Sequence, residues 1–142
     1  MQNKQLQLVR DKEINTKHKM SQALARAAAL AHGEQQQLEQ LEHYQEDYLK
    51  MIQQEQAGWS AAKSTHYREF CYQLSSVIEG QKNKLISTKL TIDELKKDIQ
   101  QQQHKIDVVD ELIEKEALKE LVADNKRFQQ ESDALVARRY FQ

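Results

Sequence analysis

Histidines, a lone cysteine and abundant carboxylates are the side chains in this sequence that metal binding or acid–base catalysis would recruit first. His18, His32, His43, His66 and His104 are scattered along the chain, and none forms the two-histidine spacing with a third ligand that a zinc site requires. His43 and Asp47 stand one turn apart, a spacing that on an exposed helix describes an ordinary polar pair. Carboxylate pairs such as Glu39 and Glu42 recur, but catalytic carboxylates need a desolvated pocket that shifts their proton affinity. The sequence also lacks a glycine-rich phosphate loop, a nucleophile elbow and a histidine placed to activate Cys71 in a cleft. The expectation is a protein that is not an enzyme, with no catalytic residue, no cofactor, no metal and no small-molecule substrate.

The elements that carry these residues explain why no pocket is expected. At 142 residues the chain has the length of one domain, yet only 39% of it is hydrophobic and 30% is charged. Proline is absent, glycine occurs 3 times, and Gln, Glu, Lys, Leu and Ala dominate, so little interrupts helix propagation. Lys and Arg number 21 against 22 Asp and Glu, for a formal net charge of -1, which argues against a nucleic-acid partner. Locally the start is basic, through Lys4, Arg10, Lys12, Lys17 and Lys19, and the segment from Glu34 to Glu55 is acidic. Such runs either are solvated helix faces or steer partners, and solvated faces are the favoured reading. A single cysteine rules out an internal disulfide, and Cys71 falls where a small apolar side chain would pack. The N-terminus has no signal-peptide-like apolar core and no stretch approaches a membrane span, so cytoplasmic residence is expected.

Two heptad seams organise the chain. One runs through Met20, Leu24, Ala27, Ala31, Leu38, Leu41, Tyr48 and Ile52, with Glu34 and Gln45 at its polar steps. The other runs through Cys71, Leu74, Ile78, Leu85, Ile92, Leu95, Ile99, Ile106, Val109 and Ile113. Before Met20 the pattern weakens to Leu6, Val9 and Ile14. The break between helices lies at Ala57, Gly58, Trp59 and Ser60, where Gly58 offers a left-handed C-terminal cap and Ser60, Ser64 and Thr65 compete to cap the next helix.

The predicted fold is all-α, a long antiparallel two-helix coiled-coil hairpin forming a single domain over residues 1–142. Its first helix is placed at about 3–57, its turn at about 57–65 and its second helix at about 66–140. Such a turn sets Ile52 near Phe70 and Met20 opposite the region of Gln102. The second helix outruns the first, and after Ile113 its apolar residues shift register to Ala117, Leu121, Phe128 and Leu135. Phe128, Leu135, Val136 and Phe141 would stay exposed on this overhang unless something covers them.

Beside the seams lies a surplus of apolar and aromatic residues. Gln37, Leu41, Tyr44 and Tyr48 form a row on the first helix, and Tyr67, Phe70, Leu74, Val77 and Gln81 form a row on the second. In an antiparallel pair these rows share a level, so Tyr44, Tyr48, Phe70 and Val77 either make a protein-binding patch or are absorbed by a widened seam.

Along these residues the chain resembles the FliJ family of bacterial flagellar export. The likeness runs from Gln37 through Leu38, Leu41, Tyr44, Gln45 and Tyr48, then across the bend to Tyr67, Phe70, Leu74, Ile78 and Leu85. The resemblance implies a hairpin similar to the γ stalk of rotary ATP synthases. It implies a stalk within the hexameric export ATPase FliI that promotes hexamer assembly, couples the ring to the export gate protein FlhA, and escorts export chaperones. It further implies a cytoplasmic protein held at the inner-membrane export machinery through its partners. The family's gate-contact surface maps onto Gln37, Leu41, Tyr44, Tyr48, Phe70, Leu74, Val77 and Gln81; relatives commonly carry a small residue at Val77 and a histidine at Gln81. Contact with the ATPase ring would fall on the overhang, at Phe128, Leu135, Arg138, Arg139 and Phe141. Two other readings share the architecture, the corresponding stalk of a virulence-type III secretion ATPase and a helical-hairpin export chaperone or adaptor; a third is a straight coiled-coil rod that homodimerises through the same seams.

Overall fold

The computed structural model describes residues 2–141; the side chain of Phe141 lies outside the described residues, as do Met1 and Gln142. Helix α1 spans Gln2–Glu55, a single 3-10 turn spans Gln56–Gly58, and helix α2 spans Ala61–Phe141. The fold is an all-α helical hairpin. Two uninterrupted helices of 54 and 81 residues follow directly from a chain without proline and rich in straight-chain residues.

The reversal is tighter than the sequence pattern implies, and Gly58 does not supply a left-handed cap: no described residue has positive φ. Instead the last turn of α1 contracts to 3-10 geometry, with the Trp59 N–H donating to the Gln56 carbonyl at 3.2 Å. Trp59 then runs extended, at φ -94 and ψ 145, and its indole stacks on Tyr67 with ring centroids 4.5 Å apart. A chain already reversed by a contracted turn and a pinned aromatic needs no left-handed residue. Of the three candidate caps, Ser60 serves: its Oγ accepts from the Lys63 N–H at 3.2 Å. Thr65 lies inside the helix, where its hydroxyl donates to the Ala61 carbonyl.

The chain divides into two compact units. One comprises residues 21–97, and the other comprises residues 1–20 with 98–142. In the first, α1 and α2 pack antiparallel around Leu38, Leu74, Ile78 and Leu85, with Ala31, Leu41 and Phe70 half-buried against them. The polar step of the α1 seam is also buried there. Glu34 is 5% exposed, and both its carboxylate oxygens lie within hydrogen-bonding distance of the Thr88 hydroxyl, at 3.0 and 2.9 Å. Gln45 meets Ser75 at the edge of the seam.

The second unit pairs its helices differently. The heptad strides from Leu6 to Met20 fall on Arg10, Glu13 and Lys17. Arg10 pairs with Asp110, Lys17 donates to Gln103, and Gln102 donates to the carboxylate and carbonyl of Glu13. Gln102 therefore faces a residue one heptad before Met20. Val9 and Ile14, which extend the apolar pattern in the sequence, are exposed; Leu6 is half-buried and Ile106 is the buried apolar residue. From Ala117 to Tyr140 every residue except Ser132 is exposed.

Candidate functional site

The two rows of surplus residues come together in the unit of residues 21–97, and they divide by depth. Leu74 is 8% exposed and belongs to the core, its heptad position having decided its fate. Leu41 and Phe70 are half-buried and rest on that core. Tyr44, 49% exposed, and Val77, 54% exposed, remain on the surface. The patch and the widened seam thus coexist: the seam takes Leu74 and the inner flanks of Leu41 and Phe70, and the surface keeps the rest.

Aromatic stacking holds the patch in shape. Tyr48 is the hub, with ring centroids 5.1 Å from Tyr44, 4.8 Å from Phe70 and 6.2 Å from Tyr67, all tilted. The helical spacing of four residues sets Tyr44 beside Tyr48, and the antiparallel pairing brings Phe70 to them from α2. Hydrogen bonding with the Tyr44 hydroxyl raises the Tyr48 phenol above its ordinary pKa, and partial desolvation adds to this. Tyr48 is therefore a neutral phenol at physiological pH.

Beside Tyr44 the surface dips into a shallow, solvent-open hollow lined by Gln37, Gln40, Leu41, Tyr44 and Gln81. The Gln81 amide is held in place by donating to the Glu34 carbonyl at 3.1 Å and to Gln37 Oε1 at 3.2 Å. An apolar floor with a rim of oriented amides suits a partner that buries a side chain while hydrogen bonding along its backbone. Sequence reasoning missed Gln40, although it stands three residues from Gln37 and beside Leu41. It also left Tyr67 outside the site and gave Trp59 no role. Here Lys63 Nζ lies 5.0 Å from the centroid of the Trp59 ring, which in turn stacks on Tyr67.

The candidate residues on the end of α2 form no such constellation. Phe128 is 72% exposed, Leu135 is also exposed, and Arg138 and Arg139 occupy the last turn, where cations complement the helix dipole. The Phe141 side chain lies outside the described residues. Among the described residues no His, Cys, Asp or Glu side chains are grouped to hold a metal ion, and no helix is long and apolar enough to cross a membrane.

The family model described as flagellar FliJ protein matches residues 1–142, the whole chain. The chain belongs to the FliJ family. It is accordingly a protein associated with the flagellar export apparatus, from a family of structural or export-associated proteins. No match was found among curated proteins or among solved structures. In this FliJ-family chain the aromatic rows that carried the resemblance are the same residues that build the patch around Tyr48.

Proposed function

We propose that this chain is the central stalk of the flagellar export ATPase, promoting assembly of the ATPase hexamer, coupling it to the export gate and escorting export chaperones. The observation that carries this reading is the Tyr44, Tyr48 and Phe70 cluster beside an open hollow, in a chain matched along its whole length by the flagellar family. Gln37, Leu41, Tyr44, Tyr48, Phe70, Val77 and Gln81 form the face offered to an FlhA-like gate protein, and Leu74 supports it from the core. Phe128, Leu135, Arg138, Arg139 and Phe141 are the contacts with a FliI-like ring. In this reading the mechanism is that of a γ-like stalk: a paired-helix element biases the conformations of a ring through contacts that differ between subunit states, while the ring hydrolyses ATP. Residence in the cytoplasm, at the inner membrane through these partners, completes the reading.

Two measurements test it separately. Tyr44→Ala should weaken capture of the gate protein's cytoplasmic portion at least about tenfold, as truncation of a central aromatic does at protein interfaces. Phe128→Ala with Leu135→Ala should abolish stimulation of the export ATPase while stability changes by no more than about 0.5 kcal/mol, because both side chains are exposed. Unchanged gate capture in the first variant, or unchanged ATPase stimulation in the second, removes the corresponding half of the proposal.

A further inference from the structure

The least economical contact in the apolar seam is the buried layer at Glu34. It sits two heptad steps from Leu41 and one from Leu38, beside the core of Leu38, Leu74, Ile78 and Leu85. At 5% exposure the carboxylate has no cation paired with it among the described residues; its side-chain partner is the Thr88 hydroxyl. That hydroxyl carries one proton and has three acceptors within reach: the two Glu34 oxygens and the Lys84 carbonyl at 3.1 Å. The layer is therefore only partly satisfied, and a buried acceptor short of donors lowers stability relative to an apolar pair of the same shape. Stability does not account for Glu34.

Pairing specificity does. We propose that Glu34 is the element that makes the α1 seam select α2 of its own chain and reject α1 of a second copy. A polar residue at a single seam position fixes partner and register at a cost in stability, and here Thr88 stands opposite to receive it. If α1 paired in parallel register with α1 of another molecule, Glu34 would face its own counterpart, placing two carboxylates in an apolar layer with no hydroxyl between them. Between Met20 and Ile52 the other steps of the α1 seam oppose such pairing far less, because Met20, Leu24, Ala27, Ala31, Leu38, Leu41 and Ile52 are apolar and Gln45 and Tyr48 carry no charge; the charged steps at Arg10, Glu13 and Lys17 lie outside this stretch. Without the carboxylate, the stretch from Met20 to Ile52 suits either partner.

A full-length chain carrying Cys71→Ser and Ala27→Cys tests this, since Ala27 lies half-buried in the α1 seam and the introduced thiols meet only when two α1 helices pair. With Glu34 intact, oxidation in a glutathione buffer should give little interchain disulfide and sedimentation should show no added dimer. Replacing Glu34→Leu should raise the disulfide yield at least about tenfold, with a matching dimer in sedimentation, since one lost like-charge contact of about 1.4 kcal/mol already shifts an equilibrium by that factor. Glu34→Leu with Thr88→Val provides the matched apolar layer and should behave the same way. If both variants fold as hairpins and form no more interchain disulfide than the parent, Glu34 does not select the partner. If neither variant folds, the layer is a folding requirement, and the proposal is equally overturned.

Discussion

The units of residues 21–97 and of residues 1–20 with 98–142 are both antiparallel helix pairs on the same heptad strides, yet they are joined by different forces. The first fills its seam with Leu38, Leu74, Ile78 and Leu85. The second sets Arg10, Glu13 and Lys17 at equivalent steps, answered by Asp110, Gln102 and Gln103. The same stride lines up the two helices in both units, whereas the chemistry at the seam decides how firmly they hold. An apolar seam tolerates little truncation, whereas the half-exposed pair of Arg10 and Asp110, set beside the buried Gln102 and Ile106, is weak and screened by salt. The apolar unit carries the candidate gate-binding face. The polar unit carries the candidate ring contacts, on the exposed stretch of α2 beyond its seam.

The largest expected effect breaks this comparison at its stronger side. Ile78→Ala, at a position 5% exposed within the core cluster, should lower unfolding stability in urea by about 2 to 5 kcal/mol, whereas Arg10→Ala should lower it by no more than about 1 kcal/mol. Equal losses would mean that the two seams are energetically alike and that the contrast in residue type is superficial.

A smaller effect separates support from surface within the apolar unit. Phe70→Ala should cost about 1 to 3 kcal/mol, because its ring is half-buried on the core cluster and stacked on Tyr48. Tyr44→Ala should cost no more than about 1 kcal/mol, because half of its surface is in solvent, so melting curves of the two variants should separate clearly. Coincident curves would put both rings in the core and leave the hollow beside Tyr44 without an exposed aromatic anchor.

Much of the fold and of the patch is legible in the residue pattern, for identifiable reasons. Leu38, Leu74, Ile78, Leu85 and Ile106 are buried at the heptad steps that name them, because a 3.5-residue repeat leaves only one face to pack. The level shared by Tyr48 and Phe70 follows from a short connection between antiparallel helices. Three features are not legible. The contracted turn is closed by the Trp59 N–H on the Gln56 carbonyl and flanked by the stacking of Trp59 on Tyr67, contacts between residues that no periodicity links. The role of Leu74 is obscured because one residue serves both the seam and the binding row. Before Met20 an apolar stripe picks out Leu6, Val9 and Ile14, and it passes over Arg10, Glu13 and Lys17 even though these keep the stride.

The smallest effect concerns salt, and it addresses the polar unit alone. The Arg10 and Asp110 side chains are 38% and 44% exposed, so the pair is partly hydrated and its attraction falls as the Debye length shrinks from about 10 Å at 0.1 M salt to about 3 Å at 1 M. Raising sodium chloride across that range should speed amide exchange for residues 5–18 and 102–111 by roughly two- to fivefold, the loss of a surface ion pair worth under about 1 kcal/mol. Exchange in the apolar seam around Leu38 and Leu85 should stay level, because uncharged contacts are not screened. Arg10→Gln should then abolish most of the salt dependence while leaving exchange at high salt unchanged. A uniform response along both units would show that the polar contacts of Arg10 and Lys17 add nothing to how the second helix pair is held.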